Sequence, residues 1–512
     1  MADWTGGYVA DVAYLHGYYP ELNPQRIKLA FLASGQAFPE TGVACELGYG
    51  QGISTNIHAA ASMTQWYGTD FNPTQAAYAR ELASASGAKA ALFDQGFEEF
   101  CQRTDLPDFD FIGLHGIWSW VSDDNRRLIA DFIRRKLKVG GVVYISYNTQ
   151  PGWAPIVPLR ELMTEHAQVL GAPGAGIVPR IDAALAFAEK LLGSGALYGH
   201  ANPQLAERLA ALKTQNRHYL AHEYFNRDWL PMSFTALSGW LSDAKLSYVA
   251  SANYLAHVDV INLTAEQQEL LRDIPDPAFR ESVRDFLVNQ QFRKDYWVRG
   301  PRSLSGIEQS ELLRRQRLVL VVPRKRVTLT VRGVLGDANM QEAIYGPLLD
   351  CLADYQPHSV RELEEAVAGS GTTLGPLLQA LMILLGKGAV ELAQDDTTIE
   401  AAAPATARLN QKLCDQARYS NAVSVLASPV TGGGIGLGQA ERLILLARAK
   451  GLASAEDAAC FMVAVMSQAG QALTLKGEVL ESPEAQFAEA LRLVQGMDSE
   501  LLPLLKALRV TP

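Results

Sequence analysis

The chain has 512 residues, of which 48% are hydrophobic and 20% charged, and this composition excludes a disordered, collagen-like or disulfide-rich protein. At roughly 150 residues per domain, the length suggests about three domains. A net charge of −10 disfavours nucleic acid and anionic lipid as partners, because both require a cationic surface.

The cysteines and the apolar stretches indicate the compartment. Five cysteines are dispersed without a CxxC pair, and neither they nor the nine histidines show metal-ligand spacing. Residues 1–7 show no secretory signal. The uncharged stretches 139–159 and 419–440 are interrupted by Pro and Gly and do not resemble a spanning helix of about 20 apolar residues. We therefore expect a cytoplasmic protein without a metal site or membrane insertion.

Residues 43–150 alternate short apolar strands with amphipathic helices, a pattern typical of a parallel α/β sheet. The predicted strands cover 43–47, 65–70, 89–93, 109–114 and 141–146. The predicted helices between them cover 53–63, 75–85 and 126–137. The fold class is therefore α/β.

The rest of the chain divides into further units. Residues 171–176 are rich in Gly and Pro and predict a linker, and a compact middle domain with one strand at 247–252 follows. Strand-like segments 318–322 and 327–331 suggest a hairpin, and Ser359 with Glu362 fits a capping box. A helix at 377–385 and a short strand at 389–392 complete the outline of a winged helix, and helices follow from about 405. The predicted domains are 1–170, 177–305, 310–398 and 405–512.

The strongest local signal is the glycine-rich run from Glu46 to Gly52, between the first strand and the first helix. Glycines at this position permit a tight turn and let a ligand approach the backbone closely. Asp70 ends the second strand, where a carboxylate can accept hydrogen bonds from ribose hydroxyls. Asp94, followed by Gln95, ends the third strand, within reach of an adenine edge. Together they predict a nucleoside pocket, against the alternative of an ordinary turn with capping carboxylates.

The loop favours one cofactor over another. An NAD site usually shows GxGxxG, whereas this loop reads GxGxG after an acidic residue and has no pyrophosphate to bind. It resembles motif I of class I S-adenosylmethionine-dependent methyltransferases, which have a Rossmann-like domain. The resemblance implies that Gly48 and Gly50 line the methionine moiety and that Glu46 faces its ammonium group. It also implies the following further cofactor contacts: Asp70 with the ribose, Phe71 and Asp94 with the adenine, and Gln95 and His115 nearby.

Further segments resemble a narrower family. They are Tyr19-Pro20 with Asn23-Pro24, His115 to Val121, Ser146 to Trp153, and His222 to Phe225. They are similar to bacterial methyltransferases with an appended methyltransferase regulatory domain, including the rickettsial-type protein lysine methyltransferases that act on outer-membrane proteins. The match covers about residues 1–300. Tyr49 is a departure, because a small residue or Cys is more usual there.

Aromatic residues follow the fourth and fifth strands, at the sheet edge where ligands bind in open α/β folds. Trp118, Trp120 and Trp153, with Tyr147 and Asn148, would form a wall suited to an aliphatic stem that ends in an amine. Such a channel lowers the pKa of a lysine by desolvation, which favours the neutral nucleophile. His115 or Tyr147 would accept the proton through water. Alternatively, the tryptophans only pack the domain, and His115 is an ordinary loop histidine.

Two further features resemble functional motifs but are given a structural interpretation. Residues 431–438 predict a flexible connector. The basic residues between 314 and 332 predict a protein-docking or solvated face and not a DNA-binding surface.

The leading hypothesis for the function is methyl transfer to lysines of a bacterial surface protein. The alternatives are a small-molecule or saccharide methyltransferase and an S-adenosylmethionine-sensing protein. The oligomeric state stays open, with a homodimer among the expectations.

Overall fold

One seven-stranded sheet organises the first 300 residues in the computed structural model, which describes residues 15–172 and 174–511. Residues 1–7, considered above for a signal, and Pro173 of the predicted linker lie outside the described residues. The strands are β1 (Val43–Leu47), β2 (Gln65–Asp70), β3 (Ala90–Asp94), β4 (Phe109–Leu114), β5 (Leu137–Asn148), β6 (Leu246–Ser251) and β7 (Phe292–Arg299). Their order is β3-β2-β1-β4-β5-β7-β6. Strands β1 to β5 are parallel, whereas β7 runs antiparallel to both neighbours.

The predicted order of strands and helices in residues 43–150 is confirmed, as is the α/β class. The helices are α1 (Ile27–Ala33), α2 (Ile53–Ala61), α3 (Pro73–Ser86), α4 (Phe97–Cys101) and α5 (Asp123–Lys136). Local chemistry sets their ends. Asn72 caps α3 by accepting from the N–H of Thr74 and has Pro73 after it, and Gly87 ends that helix with a φ of +64°.

Strand β7 was not recognised from the sequence, and β6 was expected in a separate middle domain. The β7 segment carries Arg293, Lys294 and Asp295, which interrupt the apolar pattern of a buried strand. These charges are tolerated because Arg293 and Asp295 form an ion pair inside the fold. Hydrophobic periodicity along the chain also cannot show that two distant strands extend an earlier sheet.

Helices fill the chain between β5 and β7. They are α6 (Val157–Val169), α7 (Ile177–Gly193), α8 (Leu197–Ala201), α9 (Gln204–Lys213), α10 (Arg217–Tyr224), α11 (Phe234–Ser242), α12 (Asp259–Asn262), α13 (Ala265–Arg272) and α14 (Pro277–Leu287). Helices α6, α7, α9 and α10 share one apolar core that also contains Trp153. Helix α14 lies in the connection between β6 and β7.

Residues 306–392 form the next unit. Its elements are α15 (Gly306–Arg315), β8 (Arg317–Leu320), β9 (Thr330–Gly333), β10 (Gly336–Asn339), α16 (Glu342–Cys351), β11 (His358–Ser359), α17 (Val360–Ala366), α18 (Leu374–Gly386) and β12 (Val390–Leu392). The predicted capping box of Ser359 and Glu362 is confirmed at α17. The predicted hairpin is wrong, because β8 pairs with β11 and β12 while β9 pairs with β10. Alternation identified the strands but could not choose their partners.

The C-terminal residues are largely helical. Their elements are α19 (Asp396–Gln416), β13 (Val425–Ser428), β14 (Gly433–Gly436), α20 (Gln439–Ala449), α21 (Ala455–Gln468), β15 (Thr474–Leu475), β16 (Glu478–Val479), α22 (Pro483–Gly496) and α23 (Leu502–Ala507). The glycine-rich run is not a flexible connector, because it forms the β13–β14 hairpin. Its glycines admit Tyr18, whose hydroxyl accepts the N–H of Gly434 at 2.7 Å. Within residues 15–172 and 174–511, no helix is long and apolar enough to cross a membrane.

Candidate functional site

A cavity of about 420 Å³ lies at the carboxyl ends of β1, β2 and β4. Strand order reverses between β1 and β4, and ligands of open α/β sheets bind in the crevice that this reversal creates. The residues predicted from sequence that line it are Glu46, Gly48, Gly50, Asp70, Phe71, Gln95 and His115. Seven residues selected for the cofactor therefore lie around one concavity, whereas Asp94 is not among the described residues that line it.

The glycine loop after β1 forms one wall of the cavity. Two of its glycines lie where a side chain would collide with neighbouring residues. Gly48 has a φ of +75°, and a Cβ atom there would lie 2.2 Å from Cδ1 of Ile117. A Cβ at Gly52 would lie 2.5 Å from Cβ of Ala79, so this glycine permits close packing of α2 on α3. The N–H of Gly48 donates to the carbonyl of Thr69 at 2.8 Å and holds the loop against β2.

Asp70 joins the end of β2 to the glycine loop. Its Oδ2 accepts the N–H of Gly50 at 2.9 Å, and its Oδ1 accepts the N–H of Asn72 at 2.9 Å. Burial raises the pKa of Asp70 to about 7, although both N–H donors act in the opposite direction. The carboxylate oxygens retain lone pairs for hydroxyl donors of a ligand.

Glu46 is the second buried carboxyl of the cavity. Its Oε2 accepts a hydrogen bond from the hydroxyl of Thr55 on α2. Burial raises the pKa of Glu46 to about 7, and the neighbouring charge of Asp70 acts in the same direction. Two buried carboxyls that are costly to ionise favour a ligand that brings positive charge.

His115 follows β4 and stacks on Tyr19, with ring centroids 3.6 Å apart. Its Nδ1 lies 2.8 Å from the hydroxyl of Tyr144, which leaves Nε2 as the ring nitrogen not engaged by that tyrosine. Burial lowers the pKa of His115 to about 3, so the imidazole is neutral at physiological pH. The ring can therefore accept or donate a hydrogen bond but does not add a charge.

The rim of the cavity contains residues that the sequence analysis did not select. Glu98, Arg227 and Asp228 line it together with Trp120. Arg227 and Asp228 form an exposed ion pair of 3.1 Å in the segment after α10. The only sequence signal near them was the segment from His222 to Phe225, which the sequence analysis named for its resemblance to the narrower family. His222 itself is buried and is not among the described residues that line the cavity.

Three residues selected for catalysis lie away from the cavity. Trp118 is fully buried, and its Nε1 donates to Sδ of Met232 at 3.2 Å. The hydroxyl of Tyr147 donates to Asp295 at 3.0 Å, so this side chain belongs to the β5–β7 contact. Asn148 is buried, with its backbone N–H bound to Ser119. Each of these side chains is buried in the packing around β5 and is not among the described residues that line the cavity.

The remaining residues selected from the sequence also fall into two groups, those that line the cavity and those that do not. Trp153 packs edge-on against Trp229, with ring centroids 5.1 Å apart, in the apolar core of α6, α7, α9 and α10. Asp94 is exposed and is not among the described residues that line the cavity, whereas Gln95 and Phe71 are among them. The hydroxyl of Tyr49 donates to the carbonyl of Phe93 at 2.8 Å, so the unusual residue of the loop fastens it to β3.

The basic residues between 314 and 332 are mostly used inside the molecule. The ion pairs there are Arg314–Glu364, Arg317–Asp396, Arg324–Asp350, Lys325–Glu500, Arg326–Glu500 and Arg332–Asp337. Six of the seven basic residues are thus paired with five acidic side chains, Glu500 being shared, which offsets most of the charge of the cluster. In the described part of the chain, no group of His, Cys, Asp and Glu is arranged to hold a metal ion.

The hydrogen-bond acceptors of the cavity fit S-adenosylmethionine. Asp70 presents a carboxylate suited to a ribose diol, and Glu46 presents one suited to an ammonium group. Gly48 and Gly50 line the cavity, whereas the space that a side chain would need at Gly48 is taken by Ile117.

Comparison with known proteins identifies the same activity. A methyltransferase domain matches residues 45–145, and a predicted methyltransferase regulatory domain matches residues 216–299. The chain is 39% identical over 513 residues to the uncharacterised protein sll1526 of Synechocystis, covering 99% of this chain and 100% of that protein. The uncharacterised protein RP789 of Rickettsia prowazekii is 28% identical over 294 residues, which covers 55% of this chain and 51% of that protein.

The fold as a whole has a solved counterpart. PKMT2 from Rickettsia typhi superposes with a TM-score of 0.69 at 19% identity, covering 96% of this chain and 99% of that chain. The structure of PKMT2 in complex with AdoHcy gives a TM-score of 0.70 at 18% identity, covering 97% of this chain and 99% of that chain. The chain therefore belongs to the class I S-adenosylmethionine-dependent methyltransferases that carry a methyltransferase regulatory domain.

Proposed function

We propose that this methyltransferase acts on lysine side chains of a bacterial protein, with surface proteins as the first substrates to test. The observation that carries the proposal is the acidic and aromatic rim of the cavity. Glu98 and Asp228 supply carboxylates, and Tyr19 and Trp120 supply rings. Carboxylates attract an ammonium group, and aromatic faces accommodate both the cation and its aliphatic stem.

The contribution of the regulatory region supports a macromolecular acceptor. Arg227 and Asp228 belong to the segment matched by the regulatory domain, yet they line the same cavity as the glycine loop. A segment outside the sheet that reaches the rim can contact the residues of a protein substrate that flank the target side chain. An enclosed metabolite would not need such an outer surface. The resemblance to rickettsial-type protein lysine methyltransferases points the same way.

The residues of the chain have separable roles in the proposed reaction. Bound S-adenosylmethionine supplies an electrophilic methyl group. Glu46 and Asp70 would hold the cofactor, because their carboxyls line the cavity beside the glycine loop. Tyr19 and Trp120 would exclude water around the acceptor, and a drier site favours the neutral amine over the ammonium. Neutral His115 would orient the acceptor amine or a water by accepting a hydrogen bond at Nε2, which leaves the lone pair of the amine free for the methyl group.

Labelled-methyl transfer to fractionated bacterial surface proteins, read by mass spectrometry, tests the acceptor. We expect label on lysine with the wild-type protein, none with Asp70→Asn, and label near the wild-type level with the exposed control Asp94→Asn. Label confined to a metabolite or saccharide would overturn the lysine assignment.

A further inference from the structure

A second cavity, separate from the methyl-transfer cavity, lies where α14 faces strands β6 and β7. Its volume is about 490 Å³. Phe292 lines this cavity, and its ring lies edge-on to His115 of the first cavity, with centroids 6.3 Å apart. One layer of side chains therefore separates the two spaces.

One arginine in this cavity donates hydrogen bonds to three carboxylates. Arg293 Nη2 donates to Glu281 at 2.8 Å, Nη1 to Asp285 at 2.7 Å, and Nε to Asp295 at 2.8 Å. These four residues, the Arg293 cluster, all line the cavity. Their formal charges sum to −2 when all are ionised.

Two carboxylate oxygens of the cluster are buried without a hydrogen-bond partner. They are Oδ2 of Asp285 and Oδ1 of Asp295, on side chains that are 4% and 1% exposed. Buried carboxylate oxygens without donors are costly, and native proteins normally satisfy them. Burial raises the pKa of Asp285 to about 7, because its ionised form is poorly stabilised inside the fold.

The other cations of this cavity are already engaged. Lys294 pairs with Glu21 at 2.6 Å and Arg284 pairs with Asp259 at 2.5 Å. Arg332 lies at the rim, 4.0 Å from Asp337, and is 83% exposed. His257 does not add charge, because burial lowers its pKa and its Nε2 contacts the carbonyl of Ser251 at 2.7 Å. The two unpartnered oxygens therefore have no cation of their own.

We propose that this second cavity binds an alkylammonium group, which donates to Asp285 and Asp295 while its stem lies along apolar side chains. Leu255, Val288 and Phe292 supply that apolar lining. A metal ion is the weaker occupant, because no metal-binding group of carboxylates is found among the described residues. The ammonium comes from a free amine or from a lysine side chain, since both present the same chemistry.

Calorimetry on the full-length protein tests the site. The probes are 1,5-diaminopentane, a lysine blocked at its amino and carboxyl groups, and the neutral control 1,5-pentanediol. We expect at least one cationic probe to bind with 1:1 stoichiometry and the diol not to bind. Binding of the diamine alone identifies a free amine as the ligand source, and binding of the blocked lysine identifies a protein side chain. Absence of binding by both cations at about 10 mM would overturn the proposal.

Variants assign the binding to this cavity. Asp285→Asn should weaken the probe roughly ten- to a hundredfold, because a hydrogen bond to a charged group is lost. Glu281→Gln, at a side chain that is 21% exposed, removes charge from the same cluster with less risk to folding and should weaken it severalfold. Asp259→Asn is the matched control, since that carboxylate lines the cavity but is held by Arg284.

A competition experiment separates the two cavities. Saturating S-adenosylhomocysteine should leave the affinity of the cationic probe unchanged, because it fills the other cavity. Glu98→Gln, at the acceptor rim of that other cavity, should also leave it unchanged, and a loss of affinity in this variant would place the probe at the rim. Displacement of the probe would mean that the amine binds beside Glu46 and Asp70, and would overturn the assignment. Unchanged affinity in both Asp285→Asn and Glu281→Gln would overturn it equally.

Discussion

Asp70 Oδ2 accepts the backbone N–H of Gly50 at 2.9 Å, so the carboxylate at the end of β2 also fixes the glycine loop after β1. Its other oxygen accepts the N–H of Asn72 at the start of α3. The same side chain thus positions two backbone segments and lines the cavity. A change at Asp70 therefore affects both the contact with a ligand and the shape of the loop.

Asp70→Asn should reduce the affinity for S-adenosylhomocysteine at least tenfold, measured by calorimetry. An asparagine has one acceptor oxygen, so its amide nitrogen must face one of the two N–H donors. Losing a hydrogen bond to a charged group costs about 1.5–3 kcal/mol, and the unpaired N–H adds to this cost.

Asp94→Asn is the matched control, because Asp94 ends the adjacent strand β3 but is exposed. We expect its affinity to stay within about twofold of the wild type, as for a surface substitution. Equal losses in the two variants would contradict the placement of the site and restore the role that the sequence suggested for Asp94.

Gly48→Ala should abolish measurable cofactor binding while the protein stays folded. The new Cβ would lie 2.2 Å from Cδ1 of Ile117, at a φ of +75° that alanine rarely adopts. Adding Ile117→Ala removes the steric clash but not the backbone strain, so binding should recover only in part. Gly436→Ala is the control, since a Cβ there meets no atom within 4 Å. Full binding by Gly48→Ala would contradict the close approach inferred for this loop.

The parallel sheet and the glycine loop could be predicted because their signals are local. A strand, a glycine turn and a helix follow each other directly, and Asp70 ends the next predicted strand. Strand β7 could not be predicted, because Arg293 and Asp295 are charged in sequence and become acceptable only when they pair in the fold.

The acceptor side of the site was harder to predict than the cofactor side. Arg227 and Asp228 reach the cavity from a segment more than a hundred residues beyond the sheet strands it adjoins, and no periodicity reports such a contact. Trp118 and Trp120 are two residues apart on one turn, yet only Trp120 is among the described residues that line the cavity. Composition can place aromatic residues near a site, but packing decides which ring faces it.

Cofactor affinity should rise with pH between about 6 and 8. Burial raises the pKa of Glu46 to about 7, so below that pH a proton must leave before the carboxylate can face a cationic ligand. Glu46→Gln fixes the uncharged form and should bind S-adenosylhomocysteine more weakly, with a flatter pH profile whose remaining slope belongs to Asp70, because burial also raises the pKa of that carboxyl to about 7. Calorimetry at several pH values, in buffers of different ionisation enthalpy, measures both the affinity and the protons released. An equally steep profile in the variant would assign the titration to another group.

The raised pKa of Glu46 also affects the free energy of unfolding. The pKa of Glu46 in the folded protein lies above its ordinary value of 4.5, so the ligand-free folded state binds more protons than the unfolded state between these values. The contribution of Glu46 to the free energy of unfolding therefore falls as pH rises from about 4.5 through 7. Subtracting the unfolding free energy of Glu46→Gln from that of the wild type isolates this contribution. A difference that grows with pH would contradict the assigned direction.

Trp118→Phe and Trp120→Phe should separate packing from substrate contact. Trp118 is fully buried, packs edge-on against Trp240 and donates to Met232, so its replacement leaves a cavity and an unmet acceptor. We expect the free energy of unfolding to fall by about 1–3 kcal/mol, with KM for the methyl acceptor unchanged. Trp120 lines the methyl-transfer cavity, so its replacement should instead raise KM for the acceptor. Chemical denaturation and initial-rate kinetics on both variants distinguish these outcomes. A raised KM in Trp118→Phe at unchanged stability would return that residue to the acceptor wall and contradict its position in the core.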